Sequence, residues 1–279
     1  MDLDEYRRTS LEAWQGMAAG WERARPRIEE TATPVREWLA RAIDAEPGDT
    51  VLELAAGPGE TGYEVARRLG ETGRLISSDR APAMVEVARR RAAELGLTNV
   101  EHRVLDAEQL ELEDDSVDHV LCRFGYMLMA DPAQALRETR RVLRPGGRLA
   151  FAVWSTADRN PWVAIAGRMF VEHGLVPRPE PGSPGMFVMA DEERTRGVVR
   201  DAGFSDVRLE EVAVSFRYDN VEEYVERSRE TGGIFATVWT EASEEDRRHM
   251  KRELDEAFAP YAVDGGYVLP GVSLCVVAS

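Results

Sequence analysis

This sequence has almost no lysine, little cysteine and no long apolar run. Lys251 is the only lysine among 35 basic residues, so arginine carries nearly all of the positive charge. Cys122 and Cys275 are the only cysteines, and they stand in separate apolar, strand-like segments without metal-ligand spacing. The expectation is two buried, reduced thiols and no metal site. His102, His119 and His173 fall in strand, surface or helical positions and read as structural. No stretch approaches the ~18 apolar residues of a membrane span. The acidic start, Met1-Asp2-Leu3-Asp4-Glu5, is not followed by the apolar segment of a secretory signal, so a cytoplasmic location is expected. Nor is there a basic run: the arginines are interleaved with acids, and the net charge is −16. Such a surface repels phosphate backbones and anionic lipids, which argues against nucleic-acid or membrane partners and leaves a small molecule.

What is present is enough chain, at 279 residues, to bury a full core as one domain with elaborations. Leu11, Trp14, Met17, Ala18 and Trp21 repeat at helical spacing, and Val35, Trp38, Leu39 and Ile43 do so again after Pro34. Residues 1–46 therefore read as helices. Strands and helices then alternate: strands at 50–54, 74–78, 100–105, 118–122 and 149–154, helices at 61–70, 82–95 and 132–143, with a turn at Pro145-Gly146-Gly147. Alternation of this kind implies right-handed crossovers and a mostly parallel sheet covered on both faces. Beyond it come helices at 161–173 and 191–202, a Pro/Gly-rich loop from Pro177 to Gly185, and a strand at 207–216. A charged helical stretch at 220–260 and a last apolar strand at 267–278 end the chain.

The most informative segment is Val51-Leu52-Glu53-Leu54-Ala55-Ala56-Gly57-Pro58-Gly59-Glu60-Thr61-Gly62. An apolar strand ends in an acid, turns through small residues and enters a helix, which lets a nucleotide-like cofactor lie against bare backbone. Two cofactor families fit it. Gly57, Gly59 and Gly62 spell the dinucleotide pattern GxGxxG, whereas Glu53 before a small-residue turn matches a loop for S-adenosylmethionine.

Acids at the carboxyl ends of the strands bear on this choice, because ligands of open parallel sheets bind there. Asp79 is placed to accept from a ribose diol, which both cofactors carry. Asp106 with Ala107 can meet an adenine amine. Glu53 and Glu60 flank the loop, and carboxylates suit a sulfonium and an ammonium better than a pyrophosphate. The Tyr-x-x-x-Lys pair of short-chain dehydrogenases is impossible, because no tyrosine lies four residues before Lys251. On this reading Gly62 is an ordinary first-turn residue of its helix.

The chain resembles class I S-adenosylmethionine-dependent methyltransferases of the ubiquinone/menaquinone C-methyltransferase-like group. Three stretches carry the resemblance: Glu53 to Gly59; Asp106-Ala107-Glu108 with Asp115-Ser116-Val117-Asp118; and Leu136-Arg137-Glu138 through Arg144-Pro145-Gly146-Gly147-Arg148-Leu149. Ala55 stands where the family has its first loop glycine, and the long amino-terminal signature of true menaquinone methyltransferases is not present. The resemblance implies a Rossmann-like α/β fold: a mostly parallel, seven-stranded sheet whose last strand, 267–278, is antiparallel. Residues 1–46 would form a helical cap, 47–155 the cofactor-binding core, and 156–279 substrate-covering helices with the last two strands of the same sheet. It further places Gly57 and Gly59 under the methionine moiety, Asp79 on the ribose, Met84 at the adenine face, Asp106 and Ala107 at its edge, and backbone at Arg123 and Phe124 by the methionine end. Glu53, Ala55, Thr61, Arg80 and Glu108 complete the expected cofactor set, with Trp21 a candidate lid.

S-adenosylmethionine carries its own leaving group, so a methyltransferase chiefly aligns a nucleophile and excludes water. Arg123 and Tyr126 follow the fourth strand and are the candidate catalytic residues, Tyr126 to orient or deprotonate an acceptor hydroxyl and Arg123 to hold an anionic group. Met127, Met129, Trp154, Trp162, Met186, Phe187, Met189 and Trp239 are candidate substrate walls, suited to an apolar, planar or prenylated metabolite. The expected function is methyl transfer to such a molecule. The alternatives are an NAD-dependent oxidoreductase and a non-catalytic protein that binds S-adenosylmethionine.

Overall fold

The computed structural model describes residues 2–180 and 182–279. Its centre is a sheet in which the five amino-terminal strands run parallel: β1 (Thr50–Leu54), β2 (Arg74–Asp79), β3 (Val100–Val104), β4 (Val117–Arg123) and β5 (Leu143–Trp154). Helices α2 (Glu60–Leu69), α3 (Pro82–Glu94) and α4 (Pro132–Val142) make the crossovers. After α5 (Pro161–Glu172) and α6 (Glu192–Asp201), β6 (Arg208–Tyr218) forms the far edge. The final strand, β8 (Gly266–Ala278), inserts antiparallel between β5 and β6, which gives the order β3-β2-β1-β4-β5-β8-β6. The strand order reverses between β1 and β4, so their carboxyl ends frame the crevice.

The expected final antiparallel strand is therefore in place. Among the described residues the sheet has eight strands rather than seven, because β7 (Ala262–Val263) adds a two-residue hairpin arm to the start of β8. Strand β5 also starts earlier than expected. Residues Pro145-Gly146-Gly147 sit inside it as an irregularity against β4, and regular pairing resumes at Arg148 opposite His119.

The amino-terminal region differs most from the reading of the sequence. Instead of separate helices, α1 (Leu3–Ala42) is one helix of 40 residues with Pro26 and Pro34 inside it, about 60 Å long. Proline deletes a helical hydrogen bond and crowds the preceding turn, and tertiary contacts offset that cost here. Val35, Leu39 and Ala40 are buried in the main core, and Arg25 and Arg36 pair with Glu60 and Glu64 of α2. Asp2 caps the start, its carboxylate accepting from the Asp4 amide at 2.9 Å.

The main core takes both faces of the sheet, including Leu52, Tyr63, Leu75, Val120, Phe151 and Cys275. Both cysteines are free and buried, and burial pushes the Cys122 thiol up to about 12. A second core lies between α5, β6, β8 and the helices α7 (Val221–Glu230), α8 (Gly233–Glu241) and α9 (Glu244–Phe258), built from Phe170, Tyr224, Trp239 and Phe258 among others. No helix among the described residues is long and apolar enough to cross a membrane.

Asn160 joins the two parts. Fully buried at the entry to α5, it donates to the carbonyls of Ser155, Thr156 and Val272 at 3.1 Å and accepts from the Val272 amide at 3.0 Å. Removing the side chain orphans backbone groups that water cannot reach. Asn160→Ala is expected to cost about 2–4 kcal/mol, visible as a lowered urea midpoint. A change below about 0.5 kcal/mol would show that β8 does not depend on this clamp.

Candidate active site

The turn from β1 to α2 has the backbone path that a bare loop requires. Ala55, Gly57 and Gly59 have φ of +49°, +53° and +91°. Ala55 thus occupies a left-handed conformation as a non-glycine, a position where glycine would be unstrained. The amide of Ala56 donates to the Ser78 carbonyl, and that of Gly57 to Asp79 Oδ2 at 3.0 Å. A Cβ on Gly59 would lie 2.3 Å from the Tyr63 ring, and one on Gly62 would lie 2.3 Å from Glu53 Oε2. Gly62 is consequently not an ordinary first-turn residue. It donates its amide to Glu53 Oε1 at 2.9 Å and leaves the room in which the carboxyl group sits.

Glu53 is 2% exposed, and burial pushes its carboxyl group up to about 8 against the opposing pull of the Gly62 amide and Arg123. Its Oε2 is buried without a hydrogen-bond partner, as are Nη1 of Arg123 and Oγ1 of Thr61. The register of β1 on β4 sets Leu54 beside Cys122, so Arg123 is the next residue along the neighbouring strand. The other arm of Arg123 reaches Glu29 of α1, Nη2 to Oε1 at 2.5 Å, with both side chains largely buried. Glu29 escaped the sequence reading because its partner is 94 residues away and an acid within a charged helix carries no local signal. The result is a desolvated acid, a desolvated guanidinium and a hydroxyl, each with an unused polar atom, at the open end of the sheet.

The other expected cofactor residues are brought to the same edge, most of them engaged. Asp79 accepts from the Gly57 and Ala81 amides, and burial raises its pKa. Arg80 pairs with Asp106 at 3.1 Å and donates to the Arg7 carbonyl, while Asp106 also accepts from the Glu108 amide. Ala107 is buried. Glu108 is clasped by Arg7 of α1 at 2.7 Å and accepts from the Ala130 amide. Met84 does not face an open surface: it is fully buried in a small cluster with Ala18, Ala81 and Val87, against Trp14 and Trp21 of α1. Trp21 donates to the Thr231 carbonyl at 3.1 Å, which ties α1 to the turn after α7. Met84 and Trp21 therefore pack together under the cap.

Two candidate roles fail on burial. Tyr126 is fully buried, its ring edge-on to Phe151 and its hydroxyl 2.6 Å from Thr139 Oγ1, and burial holds its pKa well above that of free tyrosine. It packs the core and meets no acceptor. Trp239 stacks on Phe235 inside the second core, against which Trp162 also packs. Met127 and Met189 are likewise core residues, whereas Met129, Met186 and Phe187 remain partly buried against the main core. The Gly185 amide donates to the Met127 carbonyl, which brings the Met186-Phe187 loop beside the segment after β4.

Trp154 and Trp162 do come together, in a run of rings that includes one residue not anticipated. Phe124 stacks on Trp154 at 4.2 Å, Trp154 meets Trp162 edge-on at 5.1 Å, and Trp162 stacks on Phe216 at 4.1 Å. Phe216 sits in the alternating pattern of β6, but only the insertion of β8 brings that strand's face to Trp162. Phe124, like Ala55, is a non-glycine at positive φ, +60°, held by its amide on the Ala152 carbonyl at 2.8 Å. The histidines are committed elsewhere: His102 to Tyr63, His119 to Asp49, and His173 and His249 to Glu253.

Two outcomes follow from these placements. Glu53 keeps its proton up to about pH 8 when folded but only to 4.5 when unfolded. Between those values the folded state binds more protons, so stability present below pH 4.5 is lost as pH rises towards 8. Glu53→Gln lacks this loss, and urea midpoints of the unliganded proteins should diverge in favour of the variant across that window. Parallel curves would show that the carboxyl group ionises without cost. Tyr126→Phe is expected to lower stability by about 1 kcal/mol and to leave turnover within about twofold; a loss of a hundredfold or more would restore it to catalysis.

A family model described as a methyltransferase domain matches residues 45–173. Over 189 residues the chain is 30% identical to the ubiquinone/menaquinone biosynthesis C-methyltransferase UbiE of Klebsiella pneumoniae, an alignment covering 62% of this chain and 74% of that protein. It is 42% identical over 120 residues to an uncharacterized 37.1 kDa protein in transposon TN4556 of Streptomyces fradiae, covering 43% of this chain. The match spans only 34% of that longer relative. Among solved structures it resembles the YcgJ protein of Bacillus subtilis with a TM-score of 0.60 at 19% identity, over 87% of this chain and 96% of that one. The sequence identity to UbiE over most of that protein, on this sheet order and this loop, makes the chain a member of the class I S-adenosylmethionine-dependent methyltransferases, in the ubiquinone/menaquinone C-methyltransferase-like group.

Proposed function

We propose that this protein transfers the methyl group of S-adenosylmethionine to a small, largely apolar metabolite in the cytoplasm. The observation that carries the reading is the set of unpartnered buried atoms at the ends of β1 and β4 and in the first turn of α2. The methionine end of the cofactor bears one ammonium and one carboxylate. Glu53 Oε2 offers an acceptor, and Arg123 Nη1 and Thr61 Oγ1 offer donors. Buried polar groups left unpaired are costly, so a zwitterion that pairs them gains more here than it would at a wet surface. Asp79 retains lone pairs for a ribose diol beyond the two amides it already holds. Asp106 and Ala107 would meet the adenine edge, and Gly57 keeps the floor clear of side chains.

Bound S-adenosylmethionine supplies a methyl group on a sulfonium that leaves as a neutral thioether. The protein's part is to hold that group, align the acceptor behind it and keep water out. Helix α1 does the last of these, through Glu29 on Arg123 and Arg7 on Glu108. The ring series Phe124, Trp154, Trp162 and Phe216, with Met129, Met186 and Phe187 near it, would form the acceptor wall. Aromatic faces suit a planar or prenylated molecule. With Tyr126 buried and every histidine committed elsewhere, no imidazole or phenol from these residues is placed to take a proton. The acceptor is therefore expected to be nucleophilic without help, such as an activated ring carbon, a phenolate or an amine. Arg123, rather than acting as a base, would steady the carboxylate of the cofactor.

Calorimetry with S-adenosylhomocysteine tests the cofactor site. Arg123→Ala and Asp79→Ala should each weaken binding about tenfold or more, with unfolding midpoints recorded to confirm that each variant is folded. Binding of a cation beside Glu53 should also release a proton near pH 7, readable from the buffer dependence of the heat. Unchanged affinity in both variants would place the cofactor elsewhere. Transfer of label from methyl-tritiated S-adenosylmethionine to an apolar acceptor in a metabolite extract separates catalysis from mere binding; binding with no transfer would leave a sensor.

A further inference from the structure

Outside that site, three side chains of metal-ligand type converge between α5 and α9. His173 caps the carboxyl end of α5, and His249 and Glu253 stand four residues apart on α9, hence on one face. Nε2 of His173 is 2.7 Å from Glu253 Oε2, and Nε2 of His249 is 3.4 Å from Glu253 Oε1. The two imidazoles lie nearly perpendicular, with centroids 5.5 Å apart. All three ligand atoms lie within 4.8 Å of one another.

We propose that His173, His249 and Glu253 form a binding site for a borderline divalent cation of the zinc class, bridging α5 to α9. Two imidazole nitrogens and a carboxylate oxygen are the donor set that Zn²⁺ takes, and one that Mg²⁺ and Ca²⁺ do not prefer. Bonds of 2.0–2.1 Å in a tetrahedron place ligand atoms about 3.4 Å apart. The His249–Glu253 separation already has that value, and, with all ligand atoms within 4.8 Å, the rest requires adjustments of no more than about 1.4 Å. Both histidines are exposed and can rotate to make them. The carboxyl end of α5, where His173 sits, carries the negative end of the helix dipole and favours a cation. Water completes the coordination.

Arg252 bears on the affinity. Its Nη2 is 3.3 Å from Nδ1 of His249 and donates to it. A metal-bound imidazole uses one nitrogen for the ion and carries its proton on the other. Arg252 must therefore leave His249 when the ion binds, and its charge opposes the ion until it does. Removing Arg252 should tighten the site, a gain that loss of structure cannot imitate. Cys122 and Cys275 are buried and offer no competing thiolate.

Equilibrium dialysis of the full chain against Zn²⁺ tests the proposal. One ion per chain is expected, lost in His173→Ala/His249→Ala and held at least threefold more tightly in Arg252→Ala. Saturating Zn²⁺ should raise the melting temperature of the wild type by roughly 2–4 °C and leave that of the double variant unmoved, while Mg²⁺ moves neither. Co²⁺ in place of Zn²⁺ should give visible absorption in the wild type alone. Equal Zn²⁺ binding by wild type and double variant, no tightening in Arg252→Ala, or an equal response to Mg²⁺ would overturn it. Affinity for S-adenosylhomocysteine, unchanged across the variants, separates loss of this site from loss of the fold.

Discussion

The ligand end of the sheet depends on one buried acid. Glu53 sits at the end of β1 with its carboxyl group pressed into the first turn of α2, and the surroundings are arranged to permit that. Gly62 has no side chain because the carboxyl group fills the space, and its amide supplies the hydrogen bond that keeps the acid in place. Ser78 holds the Glu53 carbonyl at 2.7 Å. Arg123 on the adjoining strand provides the opposing charge and is itself paired to Glu29. Burying an acid of this kind costs free energy that packing elsewhere must offset. The left-handed Ala55 and the unpartnered polar atoms of Glu53 and Arg123 lie at the carboxyl end of the sheet, the end at which ligands of such sheets bind.

Helix α1 is the second constraint. It crosses the open ends of the strands and connects parts of the molecule that the sheet alone would leave apart: Glu108 through Arg7, α2 through Arg25 and Arg36, α3 through the Trp21–Met84 cluster, β4 through Glu29 and α7 through Arg27 and Glu230. Most of these links are ion pairs; only Arg27–Glu230 has an exposed partner, and the others lie half-buried or deeper between α1 and its neighbours. The Glu29–Arg123 pair is the most deeply buried of them, and it stands at the ligand end.

Much of this was legible in the chain itself. The β1–α2 loop, the acids ending β2 and β3, and the alternation of strands and helices announce a Rossmann-like methyltransferase because they depend on local periodicity and on a turn that tolerates few residues. The misplacements share a cause. Tyr126 and Trp239 follow a strand or lie on a helix, where a side chain destined for a site and one destined for the core have the same spacing. Pro34 reads as a helix boundary because its local cost is visible, while the ion pairs and buried valine and leucine that outweigh it are not.

Sequence by itself pointed to the cofactor class: the small-residue turn after a strand-ending acid fitted two families, and the carboxylates flanking it, with the family resemblance of three stretches, chose between them, because these are local features that residue types reveal directly. Tertiary structure alone decided who answers that acid. The Glu29–Arg123 pair spans 94 residues, and Phe216 meets Trp162 only because β8 inserts between β5 and β6. The need for glycine at position 62 arises from a carboxyl group that only the folded chain brings there. Long-range contacts carry no period and no spacing, so residue types at separate positions cannot announce them; distances between packed elements do.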